Sequence, residues 1–450
     1  MTVSASDVRA DEPAKRFRAT QAGEALLALT ASAPRTDWSR PGRESAVVTV
    51  ELDDRYSQDV VLFAGRERFE YRLSLGTVDA GRHEVEVRLN RRKSPVGARR
   101  AKVKDLDVRI IGADDPEALV HEHSPILYGR DLPEISGRYE NNHTDVPLLT
   151  YHTIQETEAG ETIIEYSVIW SNEDGGTNTP ALMARWGRST DIEWIYRIVI
   201  GPDGETRSEV YQGPDHATLP FTGAKEDGHP LLQTATSNNV LTQVVDPSLS
   251  SGYRFFQDSS QAQPSDRARE VLMDENPWTY QVMAKELIRE GKIEQPGSPL
   301  TPEVSDQRNY LWMEIAKTTS YPTPPADGTS VATAVAVKLR GDDTWYTSNK
   351  GVPDWGIVRD VPAATTVELP EGATEADVEA IKASAAPVAR GGQNPAPAPS
   401  NYRIELRSIN RGFFLDEAYL PQESFVTWRG DITLTPQQPE AIVWPSAAGR

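Results

Sequence analysis

The chain has 450 residues and a mass of 49.7 kDa, a length that fits about two or three domains. Its 67 acidic residues outnumber its 47 lysines and arginines, and the formal charge of −20 argues against nucleic acid and anionic membranes as main partners. The 31 glycines, the 33 prolines and a hydrophobic content of 38% favour a β-rich, loop-rich fold, and the absence of cysteine excludes disulfides and thiolate chemistry.

The first 39 residues are expected to form a tail with one short helix, because residues 19–31 are rich in good helix formers. No apolar segment of the signal-peptide type opens the sequence, and no window has the apolar length that a membrane span needs. We therefore expect a soluble bacterial protein without membrane insertion, which is either cytoplasmic or secreted with its signal removed.

Residues 40–113 contain four runs of period-two alternation that are separated by turn residues. This pattern predicts a small antiparallel β domain, and we expect the rest of the chain to fold without it. Its last hairpin, residues 88–104, carries eight basic residues and no acid. The hairpin is either an anion-binding patch or a solvated element of an acidic protein.

A larger antiparallel β-sandwich is predicted over residues 120–260, where short strands alternate with turn residues. Six of the seven histidines lie between residues 121 and 229. Histidine is the side chain most easily used for proton transfer near neutral pH and for metal binding, so this region is predicted to hold the functional site. His121 and His123 would share a face if their segment is extended, as a metal site could use, but the spacing supplies no third ligand.

The most unusual segment of this region joins an apolar strand at residues 166–170 to a second apolar strand at residues 192–200, with Asp191 and Glu193 at its start. Strict alternation in the second strand would place Trp194 on its apolar face and Asp191, Glu193 and Arg197 on the other. Two neighbouring carboxylates can hold a hard cation such as Ca²⁺ or Mg²⁺, act as an acid–base pair, or form salt bridges with nearby arginines.

The segment from this YS strand to the sequence GRSTDIEW resembles the necrosis-inducing cytolysin-like proteins over about 40 residues. In that family a GHRHDWE motif follows a YSW strand, and its Asp and Glu hold a divalent cation on a β-sandwich. The resemblance implies that Gly187 matches the motif glycine, that Asp191 and Glu193 match the metal-binding acids, and that Asp174 is an acidic loop ligand. Arginine and threonine replace the two family histidines, and the tryptophan follows the glutamate. The resemblance implies a fold and a cation site, and not toxin activity.

Helix is predicted after the sandwich, as a helical hairpin over residues 265–320. Asn276 is a natural N-cap before Pro277, and Gly291 marks the end of the first helix. The second helix is predicted to start near Thr301 or Ser305 and to run to about residue 319.

Residues 330–446 return to strands, with a short helix at residues 373–386 and an Ala/Pro linker at residues 387–400. The predicted fold class is therefore mainly β. It has a small N-terminal β domain, a larger antiparallel β-sandwich, an inserted helical hairpin and C-terminal strands.

The sequence contains no GxGxxG, P-loop, GxSxG or HExxH motif. We therefore expect no nucleotide cofactor, no α/β-hydrolase and no zincin protease. The first hypothesis is a carbohydrate-active enzyme, a glycoside hydrolase or lyase. The alternative is a non-catalytic glycan-binding or surface protein with a structural divalent cation, and an unrelated enzyme with a β pocket is a third possibility. The ligand is expected to be a glycan or another small molecule, and the oligomeric state is left open.

The candidate residues fall into three groups. The expected catalytic residues are Asp191, Glu193, His216, His229 and Arg188. The expected substrate-binding residues are Trp186, Tyr128, Arg130, His143 and Asn238. The expected ligands of Ca²⁺ or Mg²⁺ are Asp174, Asp191 and Glu193. A catalytic site should have a histidine within hydrogen-bond reach and an open cleft, whereas a structural cation site should be closed and rich in oxygen.

Overall fold

The computed structural model describes residues 13–130, 139–173, 175–250, 252–323, 330–360, 362–388 and 398–445. Within these ranges the chain is mainly β, as predicted, with 25 strands in several largely antiparallel sheets and four α-helices. No helix in the described ranges is long and apolar enough to cross a membrane.

The chain folds into two compact units, and it passes from one to the other more than once. The first unit comprises Met1–Asp174 and Asp191–Ala262, and the second comprises Gly175–Thr190 and Gln263–Arg450. A segment from the middle of the predicted sandwich, Gly175–Thr190, therefore belongs to the second unit.

Seven strands open the first unit and form two sheets, in the orders β1-β6-β3-β4 and β5-β2-β7. They are β1 (Ala14–Ala19), β2 (Gly23–Ser32), β3 (Val47–Leu52), β4 (Arg55–Val61), β5 (Phe69–Val78), β6 (Gly81–Leu89) and β7 (Lys102–Ile111). The short helix predicted at residues 19–31 is wrong, because this segment is largely strand β2. Since β2 pairs with β5 and β7 on both edges and buries side chains on both faces, its apolar residues run continuously instead of alternating.

Among its described residues, the remainder of the first unit contains one short α-helix and ten strands. They are α1 (Ala118–Glu122), β8 (Ile126–Tyr128), β9 (Pro147–Glu156), β10 (Thr162–Trp170), β11 (Asp191–Ile200), β12 (Thr206–Gln212), β13 (Thr218–Pro220), β14 (Lys225–Glu226), β15 (His229–Thr234), β16 (Leu241–Gln243) and β17 (Arg254–Phe255). The sheet that carries Asp191 has the order β13-β12-β11-β10-β9, and a second sheet has the order β14-β15-β8-β17, with β16 on β15. Tyr166, Trp170 and Ile198 are fully buried in the core of this part of the unit.

The described part of the second unit contains three α-helices and eight strands. They are α2 (Thr179–Trp186), α3 (Val271–Glu275), α4 (Trp278–Arg289), β18 (Tyr310–Ser320), β19 (Val331–Leu339), β20 (Trp345–Thr347), β21 (Ala363–Glu368), β22 (Val378–Pro387), β23 (Arg403–Phe413), β24 (Trp428–Leu434) and β25 (Glu440–Trp444). The strands form two four-stranded sheets, in the orders β21-β18-β23-β24 and β20-β19-β22-β25. One apolar core takes side chains from both sheets, as in a β-sandwich.

The predicted helical hairpin is half correct. Helix α4 begins directly after Pro277, one residue later than expected, and Gly291 follows it with a positive φ of 67°, as expected. Pro277 occupies the N-cap position, and Asn276 donates its side-chain amide to the Leu272 carbonyl in α3. The second predicted helix is wrong, because its residues form a short 3₁₀ turn and strand β18.

The helix predicted at residues 373–386 is also wrong. A 3₁₀ turn capped by Thr374 leads there into strand β22. Most of the predicted Ala/Pro linker lies outside the described residues.

Candidate functional site

A β-bulge in strand β11 decides where the two predicted carboxylates point. Tyr196 lies opposite Tyr166 of β10, but the next pair joins Trp194 to Ser167, so Ile195 is an extra residue. Paired residues of an antiparallel ladder share a face, so Asp191 and Glu193 lie on the face of Trp170 and Val168.

The bulge corrects the predicted alternation for Trp194. This residue shares the face of Arg197, whose guanidinium carbon lies 4.8 Å from the centre of the indole ring. Tyr196 and Ile195 are instead buried in the core, on the carboxylate side of the sheet. The two carboxylates therefore lie at the end of a core-facing surface.

Asp191 belongs to a closed polar cluster with Asp145, Asn172 and Asn239, all of which are at most 2% exposed. The Asn239 Nδ2 group donates to Asp145 Oδ1 at 2.7 Å and to Asp191 Oδ2 at 3.1 Å, and the carbonyl oxygen of Asn172 lies 3.5 Å away. Three oxygens from three separate segments thus converge on one amide nitrogen. The cluster has the closed, oxygen-rich character expected of a structural cation site.

Arg130 balances part of the negative charge beside this cluster. Its guanidinium group lies 2.7 Å from Asp145 Oδ2 and 2.8 Å from Glu140 Oε1, and it donates to the Ser237 carbonyl at 3.0 Å. Since Arg130 is only 1% exposed, it is a structural partner of Asp145 here and not an accessible substrate-binding residue.

Glu193 lies in a different and more accessible environment. It accepts a hydrogen bond from Gln212 Nε2 at 3.0 Å, and its Oε1 lies 3.9 Å from His216 Nδ1. The side chain of Glu193 is 16% exposed and that of His216 is 54% exposed, so this pair opens to solvent. The structure therefore separates the two predicted carboxylates into a sealed one and an accessible one.

His229 makes its contacts with other parts of the first unit. Its Nδ1 lies 2.9 Å from the Ser124 carbonyl oxygen, which can only accept, so Nδ1 carries a proton. Its Nε2 lies 3.3 Å from Oε2 of Glu24, whose other oxygen accepts a hydrogen bond from Thr77 at 2.6 Å. His229 is buried in this pair, away from the partners of Glu193.

Two expected site residues belong to the second unit. Arg188 is buried there, and its Nε lies 3.1 Å from Glu270 Oε1. Trp186 ends helix α2, with the guanidinium carbons of Arg185 and Arg188 at 4.8 and 5.6 Å from its ring centre. The charge of Arg188 is thus already matched by a carboxylate inside its own unit.

The remaining expected residues make local contacts. Tyr128 is buried in strand β8, and burial raises the pKa of its hydroxyl. His143 Nδ1 lies 2.7 Å from Asn142 Oδ1, and Asn238 accepts a hydrogen bond from Thr236 in its own loop at 2.7 Å. Asp174, an expected metal ligand, lies outside the described residues.

The paired histidines do not form the extended metal-binding segment that was considered. His121 lies in helix α1, with its Nε2 3.2 Å from Ser260 Oγ, and His123 follows the helix. Burial lowers the pKa of both imidazoles and favours their neutral forms. In the part of the chain that the structure describes, no three His, Asp or Glu side chains form a group that could hold a metal ion.

Sequence reasoning missed Asp145, Asn172 and Asn239 as members of the cluster. The sequence did contain a signal, because Asp145 and Asn239 stand in turn-rich segments. In the structure both residues adopt positive φ angles, of 44° and 56°. Asp and Asn tolerate this conformation better than most residues, so it suits tight loops that bring polar groups inward. In comparisons with known protein families and with curated proteins, the sequence matches no family model and no curated protein.

Proposed function

We propose that the chain is a glycan-binding protein in which a hard divalent cation fixes one end of the sheet that carries Asp191. The observation that supports this proposal is the convergence of Asp145 Oδ1, Asp191 Oδ2 and the Asn172 carbonyl on Asn239 Nδ2, within 2.7–3.5 Å. Carboxylate and carbonyl oxygens are the ligands that Ca²⁺ and Mg²⁺ prefer.

The chemistry of these residues fits such a cation. If the side-chain amide of Asn239 is rotated so that Oδ1 and Nδ2 exchange places, Oδ1 faces the point where the other three oxygens converge. A cation there would have four oxygen ligands, two of them from carboxylates. In the described ranges the buried Asn239 Oδ1 accepts no hydrogen bond, so a cation would also satisfy this atom. The proposed ligands are therefore Asp145, Asp191, Asn239 and the Asn172 carbonyl, whereas Glu193 has its own partners.

The proposed glycan surface is the accessible pair of Glu193 and His216, and the buried amide of Gln212 contacts both side chains. The carboxylate can accept hydrogen bonds from sugar hydroxyls, and the imidazole can donate to or accept from them. Asp191 is two residues from Glu193 on the same strand. A cation at Asp191 would therefore fix the position of this surface without touching the ligand.

Thermal unfolding in EDTA, Ca²⁺ and Mg²⁺ tests the cation. We expect one of the two ions to raise Tm, since binding to the folded state alone at 100 times Kd adds about 2.7 kcal/mol to the unfolding free energy. Asp191→Asn should remove the response, and Asp203→Asn, an exposed turn carboxylate of the same unit, should retain it. A wild-type Tm that neither ion changes would contradict the proposed cation site.

Glycan binding has its own test, because it could fail while the cation binds. We expect Glu193→Gln to weaken binding to a glycan array by about tenfold, the loss of one charge-assisted hydrogen bond. Gln212→Ala should weaken binding as well, because it removes the hydrogen bond that positions the Glu193 carboxylate. A wild-type chain that binds no glycan in the presence of the ion would contradict this part of the proposal.

A glycan-acting hydrolase or lyase is the second candidate, and the Glu193–His216 pair favours it. The Glu193 carboxylate and the His216 imidazole lie 3.9 Å apart and are open to solvent. They could serve as general base and acid when a bound substrate draws the two side chains together. In that case Glu193→Gln should abolish the release of reducing ends or unsaturated products while glycan binding persists. If the wild-type chain releases neither product from any glycan it binds, the enzyme hypothesis fails and the binding protein stands.

A further inference from the structure

The second unit contains a polar cavity of about 590 Å³ that none of the sequence motifs indicated. It is lined by Asp266, Arg267, Ile409, Asn410, Thr427, Trp428 and Arg429. Its volume lies in the range of small-molecule sites, but its wall is mostly polar, with two guanidinium groups. A polar wall of this kind selects ligands by charge and hydrogen bonding.

Arg267 is held in a fixed orientation by a buried carboxylate. Its Nε and Nη2 lie 2.8 and 3.4 Å from the two oxygens of Glu314, which is fully buried on strand β18. Asn410 donates to the same carboxylate at 2.5 Å, and Ser408 fixes Asn410 in turn at 2.7 Å. The Nη1 group of Arg267 makes no hydrogen bond with the described residues, so the guanidinium presents a free donor edge at the cavity.

A second layer supports Glu314 from behind. Arg411 Nε lies 4.0 Å from Glu314 Oε2, and Arg411 Nη1 lies 2.6 Å from Asp274 Oδ1, which also accepts a hydrogen bond from Tyr280 at 2.7 Å. These side chains are buried or nearly so, so the ionic network is a rigid support for Arg267. Preorganised donors of this kind lower the ordering cost of ligand binding.

Arg429 and Asp266 complete the recognition surface. Both side chains are exposed at the cavity, and neither makes an ion pair within the described ranges. A guanidinium group matches the planar geometry of a carboxylate, whereas an aspartate accepts hydrogen bonds from hydroxyls. The exposed Thr427 adds a hydroxyl, and Trp428 adds an apolar wall.

We propose that this cavity binds a hydroxyl-bearing carboxylate of the uronic acid type, with Arg267 and Arg429 on the carboxylate and Asp266 and Thr427 on the hydroxyls. The proposal concerns the second unit alone, so it does not depend on the cation or the glycan surface of the first unit. A site for an acidic sugar would give the chain a second, separate point of contact with acidic glycans.

Titration of the full chain with galacturonate, followed by NMR or calorimetry, tests the proposal. We expect saturable binding that Arg429→Gln weakens by about tenfold or more, the value of one charge-assisted pair. Arg407→Gln is the matched control, because Arg407 is an exposed arginine on the neighbouring strand β23 that does not line the cavity. Arg267→Lys should weaken binding as well, since lysine keeps the charge but loses the planar fork.

Three further probes separate the possible ligand sources. Galactose has the hydroxyls without the carboxylate, glutamate has carboxylates with an ammonium group, and inorganic phosphate has the charge alone. Galacturonate is expected to bind more tightly than each of them. The proposal is overturned if galacturonate does not bind, if any of these probes binds as tightly, or if Arg429→Gln and Arg407→Gln have equal effects.

Discussion

The side-chain amide of Asn239 lies between two buried carboxylates, at a point where a cation could also bind. As an amide, it donates Nδ2 to two buried carboxylates and leaves Oδ1 without a donor among the described residues. Two carboxylates buried beside one neutral amide are costly unless positive charge is near, and the guanidinium group of Arg130 lies beside Asp145. A divalent cation at this point would lower that cost further.

Asn239→Asp distinguishes a site held together by the amide alone from a site that binds a cation. A third carboxylate at this point should lower the unfolding free energy in EDTA by about 2 kcal/mol or more, because it adds a buried like charge. Saturating Ca²⁺ should restore this loss, with a larger rise in Tm than in the wild type. Asn238→Asp lies in the same loop, where Asn238 accepts a hydrogen bond from Thr236, and is expected to change little. Destabilisation without any response to Ca²⁺ would show that the amide is the permanent occupant.

Asp274 gives a second prediction at the residue scale. Burial raises the pKa of its carboxyl to about 6 from an ordinary value of 3.8, although Arg411 opposes the shift. The folded state thus keeps a proton that the unfolded state releases, so the stabilisation is full below pH 3.8 and declines as pH rises to about 6. Two pKa units correspond to about 3 kcal/mol.

Urea unfolding of the wild type and of Asp274→Asn between pH 4.5 and 7 checks this sign. The asparagine retains a hydrogen-bond acceptor for Tyr280 but does not titrate. The wild type should therefore lose more unfolding free energy than the variant as pH rises, and the other carboxylates cancel in the comparison. Parallel pH profiles would contradict the raised pKa.

At the scale of elements, helix α2 depends on how it ends. Asn178 caps its first turn by accepting from the Ala181 N–H at 3.0 Å, and Gly187 ends it with a φ of 60°. A Cβ atom at Gly187 would lie 2.8 Å from the backbone nitrogen of Thr365 and 3.0 Å from the Ala364 Cβ. The close packing of α2 against strand β21 thus requires glycine at this position.

Gly187→Ala should therefore destabilise the chain more than conformational strain alone explains. Gly204→Ala is the matched control, because Gly204 also has a positive φ, 80°, but a Cβ there would have no atom within 4 Å. We expect about 1 kcal/mol for the control and about 1–3 kcal/mol more for Gly187→Ala, from the forced shift of β21. Chemical denaturation measures both, and equal losses would contradict the packing argument.

The elements also show how far sequence reasoning reaches. Strands with clear alternation or β-branched runs, such as β3 and β19, were predictable, and so was helix α4 with its Pro and Gly boundaries. The three segments that were wrongly predicted as helices became β2, β18 and β22, each paired on both edges inside a sheet. Their Ala, Leu and Glu content favours helix locally, and tertiary pairing overrides that preference.

The candidate site was predictable only in part, for a related reason. The D-x-E at Asp191 and Glu193 can be read from local sequence. The partners Asp145 and Asn239 are remote in sequence. The alternation of polar and apolar residues along β11 does not indicate the bulge at Ile195. The separation of the two carboxylates into sealed and accessible environments follows from the tertiary structure alone.

At the scale of the whole molecule, the first 113 residues are tied to the rest of the first unit by buried hydrogen bonds. Phe256 donates its N–H to Gln58 at 2.9 Å, its carbonyl accepts from Ser74 at 2.8 Å, and Ser45 donates to the Asn142 carbonyl at 2.7 Å. The buried pair of Glu24 and His229 adds a further link. These contacts argue against the expectation that the remainder folds alone.

A chain that starts at residue 114 should therefore fail to form the first unit. Its loss would leave the backbone N–H and carbonyl of Phe256 without their partners, at about 1–3 kcal/mol for each unsatisfied group, and would remove Glu24 from His229. We expect low solubility, or a folded signal by circular dichroism from the second unit only. A truncated chain in which the imidazole of His229 remains protected from solvent, as judged by NMR, would contradict this prediction.

The interleaving of the two units sets an order for folding during synthesis. Strands β11 to β17 of the first unit are made between residues 191 and 255, so the sheets that contain them cannot be completed before α2 has been made. Meanwhile helix α2 emerges with no partner, because strand β21, against which it packs, is made almost 180 residues later. The buried side chains of α2 therefore have no partner strand while the rest of the first unit is synthesised, and we expect a chaperone to cover residues 175–190 during that interval.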